Sequence, residues 1–145
     1  EEHKYQVDEM YKFWNLPLGT YKKLKFDPSI FEKVANHPTK RIGFHYLKPE
    51  DYGLEKAEST DWSSFAEFTE AYYTFIHELT DIQVASLKLV LDGAPVSRIF
   101  VDGGFNANSI FLEMLRIKLP GKEIIPSDFP NGSALGAAML VNMKS

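Results

Sequence analysis

The chain has 145 residues, of which 44% are hydrophobic, 14% aromatic and 25% charged, a composition typical of a folded globular domain. Its 16 basic and 20 acidic residues give a net charge of −4, so no global positive field favours nucleic acid as a partner. The absence of cysteine excludes disulfides, thiolate metal sites and a cysteine nucleophile, and makes the cytoplasm the expected compartment. The longest apolar run, residues 134–141, is far shorter than the ~20 residues of a membrane helix, so we expect neither a membrane partner nor an export signal.

The first part of the chain predicts two short helices. Apolar residues recur at helical spacing over residues 7–14, and Pro17 then interrupts the pattern. A second helix begins at Asp27 and Pro28, because aspartate is a favoured N-cap and proline is favoured in the first turn. This helix is predicted to close near residues 36–38.

The middle of the chain predicts one strand, a long connection and one long helix. Apolar and polar residues alternate over residues 41–47, which indicates a half-buried strand, and residues 48–62 are mostly polar and form a connection. Residues 64–67 read Ser-Phe-Ala-Glu, a capping box that predicts a helix start. An aromatic and aliphatic stripe then repeats every three or four residues over 65–89, until Gly93 supplies a C-cap.

The last 50 residues predict alternating strands and helices. Residues 98–101 form a short apolar strand, 110–119 a helix, 123–126 a second strand, and a final helix is predicted from about Gly132 to Met143. Strands that alternate with helices through short loops are typical of a parallel sheet flanked by helices. The fold class is therefore predicted to be α/β.

The number of strands is low for the amount of helix. A self-supporting sheet normally has three or more strands, and this sequence offers two clear ones besides residues 41–47. We therefore expect the chain to be the C-terminal piece of a longer protein whose early strands lie upstream. Residues 1–63 are interpreted as a mostly helical segment with a connection, and residues 64–145 as the main functional part.

The stretch that points to chemistry is Asp102-Gly103-Gly104, which follows a strand and precedes a helix capped by Asn106 or Asn108. In open α/β sheets, ligands bind at the carboxyl ends of the strands. Two glycines allow main chain to approach a phosphate or ribose closely, and the N–H groups of the following helix can bind an anion. The alternative is an ordinary tight turn with helix capping, because this is neither a GxGxxG nor a Walker A pattern.

A second feature is the row of small residues in the predicted last helix. Gly132, Ser133, Gly136 and Ala137 recur at helical spacing and leave a bare face, on which a nucleotide or another element could lie. Packing against a sheet explains such a face equally well. If a nucleotide is involved, this face and the glycine turn would form two walls of one cleft.

No catalytic residue and no metal site are predicted within the chain. The sequence His77-Glu78-Leu79-Thr80-Asp81 lacks the second histidine of an HExxH motif, and the four histidines have no ligand spacing. No carboxylate has an identifiable general-base partner. A Lys22-Lys23-Lys25 cluster is interpreted as a solvated face.

The two small-residue motifs together resemble a known family. Residues 101–108, Val-Asp-Gly-Gly-Phe-Asn-Ala-Asn, followed by a helix, a short strand and residues 132–138, Gly-Ser-Ala-Leu-Gly-Ala-Ala, are similar to the C-terminal domain of FGGY-type carbohydrate kinases. The similarity covers about residues 64–143 and includes the helix that precedes the glycine turn. Residues 1–63 are only loosely similar, and lie nearest the rhamnulokinase branch.

This resemblance implies a ribonuclease H-like fold of the actin-like ATPase class, with ATP and Mg²⁺ bound between two domains. Carried onto this sequence, it makes Gly103, Gly104, Phe105 and Asn108 the nucleotide contacts. It also makes residues 134–136, Ala-Leu-Gly, the support for that wall. The family's catalytic aspartate, its Mg²⁺ ligands and most sugar-binding residues have no counterpart here and are expected outside this chain.

The expected function of the intact protein is therefore phosphoryl transfer from ATP to a sugar hydroxyl, the sugar being a ketose or polyol, with ADP as product. This chain alone should bind nucleotide weakly and be inactive. Two alternatives remain: another kinase or ATPase of the actin-like superfamily, and a non-catalytic helical module whose aromatic stripe over 65–89 docks a partner. Uncovered sheet edges and helix faces also lead us to expect dimers or aggregates of the isolated chain.

Overall fold

The computed structural model of the chain describes residues 1–36, 39–91, 93–127 and 137–143. Over these residues the helices and strands in chain order are α1 (Glu2–Trp14), α2 (Pro28–Ala35), α3 (Phe68–Leu91), β1 (Val96–Gly103), α4 (Ser109–Lys118), β2 (Glu123–Pro126) and β3 (Ala137–Met143), with 3₁₀ helices at Thr20–Lys23, Pro49–Tyr52 and Trp62–Ser64. None of the helices in this part of the chain is both long and apolar enough to cross a lipid bilayer.

Both early helices are confirmed. α1 ends at Asn15, whose φ of 54° is left-handed, a conformation that asparagine tolerates better than most residues. At the start of α2 the carboxylate of Asp27 accepts a hydrogen bond from the main-chain N–H of Ser29 at 2.9 Å, and Pro28 occupies the first turn. Local capping chemistry thus sets where α2 begins.

The strand predicted over residues 41–47 is wrong. Its main chain is extended, but it joins no sheet, because side chains rather than a neighbouring strand accept its N–H groups. The N–H of Ile42 donates to the Glu78 carboxylate at 2.8 Å, and the N–H groups of residues 45–47 donate to the Glu2 carboxylate at 2.6–3.1 Å. An alternating pattern predicts a half-buried extended segment. Such a segment is a strand only if its main-chain N–H groups donate to a neighbouring strand and not to side chains.

The long helix is confirmed, but its predicted start is wrong. α3 begins at Phe68, four residues after Ser64, whose hydroxyl donates to the carbonyl of Asp61 at 2.6 Å instead of capping a helix. The 3₁₀ helix at Trp62–Ser64 therefore replaces the predicted capping box. At the other end Gly93 has a φ of 83°, the left-handed conformation expected of a glycine C-cap.

The aromatic stripe of α3 lies inside the chain's own core. Phe68, Tyr72, Phe75 and Leu79 are each at most 7% exposed. They belong to one hydrophobic cluster that also contains Val7 and other residues of the first 63, together with residues of β1 and α4. The stripe thus joins the two parts of the chain, and only its last member, Leu89, is largely exposed.

The sheet of the described residues has three strands in the order β2-β1-β3. β1 and β2 are parallel, with Ile99 opposite Ile124, and α4 connects them, so the strand-helix-strand prediction is confirmed and the architecture is α/β. β3 pairs antiparallel with the other edge of β1.

The final helix, predicted from Gly132 to Met143, is wrong over residues 137–143, which form β3, and residues 132–136 lie outside the described residues. Short apolar runs do not distinguish helix from strand by periodicity alone. Pairing with 137–143 supplies partners for the main-chain groups along the second edge of β1, which would otherwise lack them.

Candidate functional site

The glycine turn lies at the carboxyl end of the parallel strand pair, where β1 and β2 both end. The main-chain N–H of Ser127 donates to the carbonyl of Val101 at 2.8 Å, and the side-chain amide of Asn106 donates to the carbonyl of Ser127 at 2.8 Å. These two bonds hold the turn against the end of β2. The turn is therefore placed at the sheet edge where ligands bind in open α/β folds.

The two glycines of the turn have different roles. Gly103 has a φ of 77°, a conformation that side-chain-bearing residues rarely adopt, so the backbone itself favours glycine there. Gly104 is exposed and has no positive φ, and a Cβ added to it would meet no atom within 4 Å. Packing within the described chain therefore does not require glycine at 104, and none of the described residues covers its surface.

The start of α4 adds donors beside this turn. Asn108 caps the helix, because its side-chain oxygen accepts a hydrogen bond from the main-chain N–H of Phe111 at 3.0 Å. The N–H groups of Ser109 and Ile110, in the first turn of α4, have no acceptor within the helix. Together with the helix dipole, such groups favour an anion at this end of α4.

Phe105 and Asn108, both predicted nucleotide contacts, direct their side chains into the protein. Phe105 is 6% exposed, and its ring stacks on Phe111 with centroids 4.3 Å apart. Asn108 has both ends of its amide engaged, since its nitrogen donates to the hydroxyl of Tyr72 at 2.9 Å while its oxygen caps α4. The four predicted residues are thus close together, with Gly104 exposed, Gly103 half-buried and the other two side chains anchoring the turn.

A network of hydrogen-bonded side chains lies beneath the turn and supports it. The hydroxyl of Tyr72 lies 2.9 Å from Nε2 of His3, which links α1, α3 and the start of α4. Because the Asn108 amide already donates to this hydroxyl, the hydroxyl hydrogen is available to His3. Burial, with a smaller effect from the α-amino group of Glu1, lowers the pKa of His3 to about 4, and burial also raises the pKa of Tyr72. Both groups are therefore neutral near pH 7.

The contribution of His3 and Tyr72 to this region was not predicted from the sequence. Tyr72 could be identified only as one member of the helical stripe, and nothing in the sequence distinguishes His3 from a surface histidine. The two residues are 69 positions apart, so only the folded chain shows that they touch. Residues 134–136, the predicted support of the nucleotide wall, lie outside the described residues.

Comparisons with known proteins identify no relative of this chain. No family model, no curated protein and no solved structure matches it. Its function is therefore inferred from the residues and the geometry of the turn after β1.

Proposed function

We propose that this chain is the nucleotide-binding C-terminal part of an ATP-dependent carbohydrate kinase of the FGGY type, with a ribonuclease H-like fold in the intact protein. The observation that carries the proposal is the side-chain-free turn at the half-buried Gly103 and the exposed Gly104, beside the start of α4 and at the end of two parallel strands. This arrangement offers main-chain donors to an anionic ligand such as the phosphates of ATP or ADP.

The proposed roles of the four predicted residues divide into two kinds. The main chain of Gly103 and Gly104 and the first N–H groups of α4 contact the nucleotide. Phe105 and Asn108 act as positioning residues, because their side chains are held by Phe111 and Tyr72. In this proposal the affinity for nucleotide comes from the shape and the N–H groups of the main chain, and side chains make little direct contact with the nucleotide.

Phosphoryl transfer also needs groups that this chain is not proposed to supply. Among the described residues there is no group of three histidine or carboxylate side chains that could hold a metal ion, and the resemblance places the Mg²⁺ ligands outside this chain. Transfer depends on charge stabilisation and positioning from both sides of the phosphate. We therefore expect this chain to bind ATP or ADP weakly and not to phosphorylate a ketose or polyol by itself.

The proposal is tested by titrating the ¹⁵N-labelled chain with ADP and following its amide signals. We expect saturable shifts centred on Gly103, Gly104 and Ser109. The variant Gly104→Glu should abolish them, because it adds bulk and negative charge where the phosphates are placed, while an added side chain meets nothing there. The matched control is Leu18→Glu, which adds the same charge at a site that is 83% exposed.

Two results would contradict the proposal. One is the absence of saturable shifts around the turn in the wild-type chain. The other is unchanged ADP binding by Gly104→Glu when its amide spectrum shows that it is folded.

A further inference from the structure

His3, in the first turn of α1, contacts both of the side-chain groups that anchor the glycine turn. Its ring packs edge to face against Phe105, the residue after Gly104, with centroids 5.2 Å apart. Its Nε2 lies 2.9 Å from the hydroxyl of Tyr72, and the same hydroxyl accepts a hydrogen bond from the side-chain amide of Asn108. His3 therefore reaches Phe105 directly and Asn108 through Tyr72.

The ring of His3 is packed among aromatic side chains. Four aromatic rings have centroids 4.6 to 5.8 Å from its own, and they belong to Tyr21, Tyr72, Phe75 and Phe105. Tyr72 and Phe75 are fully buried, and Phe105 is 6% exposed. Closely packed side chains fill a deleted neighbour's space only in part. Loss of the His3 ring would therefore leave Phe105 without one of its packing partners.

Phe105 and Asn108 both contact Phe111, a residue in the first turn of α4. The ring of Phe105 stacks on that of Phe111, and the side-chain oxygen of Asn108 accepts the main-chain N–H of Phe111 at 3.0 Å. Within the turn, the main-chain N–H of Asn108 donates to the carbonyl of Phe105 at 3.1 Å. A shift of either side chain therefore weakens the hydrogen bonds that shape the turn and the helix start.

The residue before His3 attaches α1 to a different part of the chain. The carboxylate of Glu2 accepts the main-chain N–H groups of residues 45–47, and it also accepts a hydrogen bond from the Gln6 side chain at 2.7 Å. Two consecutive residues of α1 thus contact two separate segments, 45–47 and the glycine turn. If the first turn of α1 moves away, the His3 ring must leave Phe105 and Tyr72.

We propose that His3 is a positioning residue for the glycine turn and couples the docking of α1 to the conformation of residues 103–108. With α1 docked, the ring holds Phe105 in place and, through Tyr72, also Asn108. Without the ring, the turn and the start of α4 open more often while the rest of the chain stays folded. This coupling is a property of the ligand-free chain.

The test is amide hydrogen exchange of the ¹⁵N-labelled full chain, followed by NMR without ligand. In His3→Ala, we expect exchange at the main-chain N–H groups of Asn108 and Phe111 to be about tenfold faster than in the wild type. The reason is that the variant loses one hydrogen bond and one aromatic contact that the closed turn requires.

Two control variants distinguish positioning of the turn from a general loss of stability. Lys4→Ala changes the next residue of α1, whose side chain is 82% exposed and pairs with Asp8, and it should leave exchange at the turn unchanged. Val34→Ala removes packing from α2, where Val34 is 7% exposed. It should accelerate exchange only at amides that open by global unfolding, and not at the turn, which opens locally.

Free imidazole provides a rescue test. His3→Ala leaves room for a five-membered ring among the surrounding aromatic side chains, and imidazole carries an acceptor nitrogen for the hydroxyl of Tyr72. Added imidazole should therefore slow exchange at Asn108 and Phe111 in His3→Ala towards the wild-type rate. The wild-type chain, whose own ring fills this position, should not respond.

One consequence of the coupling rests on the proposed function, because it needs nucleotide to bind at the turn. Coupling between two sites is reciprocal, so ADP bound at the turn should slow exchange at Val7 in α1 of the wild type. ADP that binds at the turn without slowing Val7 would contradict the coupling. Failure of ADP to bind would contradict only the proposed function, since the exchange measurements without ligand test the coupling by themselves.

The proposal is overturned if Asn108 and Phe111 exchange no faster in His3→Ala than in Lys4→Ala, or if Val34→Ala accelerates them equally. It is also overturned if imidazole leaves the rates of His3→Ala unchanged. Should His3→Ala fail to fold, His3→Phe replaces it, because this variant keeps a ring beside Phe105 and removes only the acceptor nitrogen. Exchange at Phe111 should then rise about fivefold, the effect of one hydrogen bond, and an unchanged rate would overturn the proposal.

Discussion

Two segments of the described chain lie largely outside the sheet, and they are held by different kinds of side chain. The extended segment 41–47 is anchored by charge, because the carboxylates of Glu2 and Glu78 accept its main-chain N–H groups. The turn 103–108 is anchored by neutral groups, the amides of Asn106 and Asn108. In the first segment the carboxylates are paired with groups of the protein itself, and in the second the main chain of Gly104 is exposed.

This difference bears on the kind of ligand that each region can take. Where charges are already paired, an ionic ligand would have to displace one of the partners. Where main-chain donors remain beside a helix start, an anion gains the most. The pairing of the charged and polar groups, and not the local count of charges, therefore determines which of the two regions suits an anion.

The largest expected effect comes from removing Glu78, one of the two carboxylates that hold residues 41–47 in place. Glu78→Ala leaves Nε of Arg41 and the N–H of Ile42 without their acceptor, while the guanidinium keeps its hydrogen bond to the carbonyl of Glu55, and the Glu78 side chain is only 12% exposed. We expect the free energy of unfolding, measured with urea, to fall by about 3 to 4 kcal/mol.

The control for this variant is Glu55→Ala. The Glu55 side chain is 87% exposed and lies 3.9 Å from Arg41, so its removal should change the free energy of unfolding little. A loss for Glu78→Ala as small as that of Glu55→Ala would contradict charged anchoring of residues 41–47.

The pH dependence of stability tests whether His3, which contacts Tyr72 beneath the turn, is buried in its neutral form. Because the pKa of His3 is lowered from 6.5 to about 4 by burial, the unfolded chain binds a proton in this range and the folded chain does not. The histidine therefore destabilises the fold progressively as pH falls from 6.5 to about 4, by roughly 3 kcal/mol in total. The measurement is the difference in unfolding free energy between wild type and His3→Phe at several pH values, and a pH-independent difference would refute burial of a neutral His3.

Removing a single hydroxyl should have a smaller effect. Tyr72→Phe leaves the Asn108 amide and His3 Nε2 without their shared partner, and we expect unfolding free energy to fall by about 2 kcal/mol. Tyr46→Phe, at a residue 52% exposed, is the control and should be nearly neutral. Equal effects of the two variants would mean that the hydroxyl of Tyr72 does not support the turn.

The smallest effects distinguish the two glycines. Gly103→Ala should cost about 1 kcal/mol because of its φ of 77°, whereas Gly104→Ala should change unfolding free energy by less than about 0.5 kcal/mol. Urea unfolding of both variants provides the comparison. A large loss for Gly104→Ala would show that its surface is occupied by protein, which is incompatible with an open ligand site.

Elements with local signals could be predicted from the sequence. Asp27 and Pro28 mark the start of α2, Asn108 marks the start of α4, and the bounds of β2 agree with the prediction. Each depends on a cap or on a short apolar run between turn residues. Such signals involve neighbours in sequence and do not require knowledge of the rest of the fold.

Elements that depend on distant partners could not be predicted. The acceptors for residues 41–47 come from Glu2 and Glu78, which lie more than 30 positions away. Residues 137–143 were predicted as helix, yet pairing with β1 makes them a strand. The same holds for the candidate site. The glycine turn could be predicted because its residues are neighbours in sequence, whereas Tyr72 and His3 are 69 positions apart and their contact could not.

The central claim is that nucleotide phosphates lie against the main chain of the turn after β1. The most direct measurement is the broadening of amide signals by paramagnetic Mn²⁺ bound to ADP. We predict the strongest broadening at Gly104 and Ser109, and little at His77. Broadening that is absent from the turn, or strongest elsewhere in the chain, would contradict the claim.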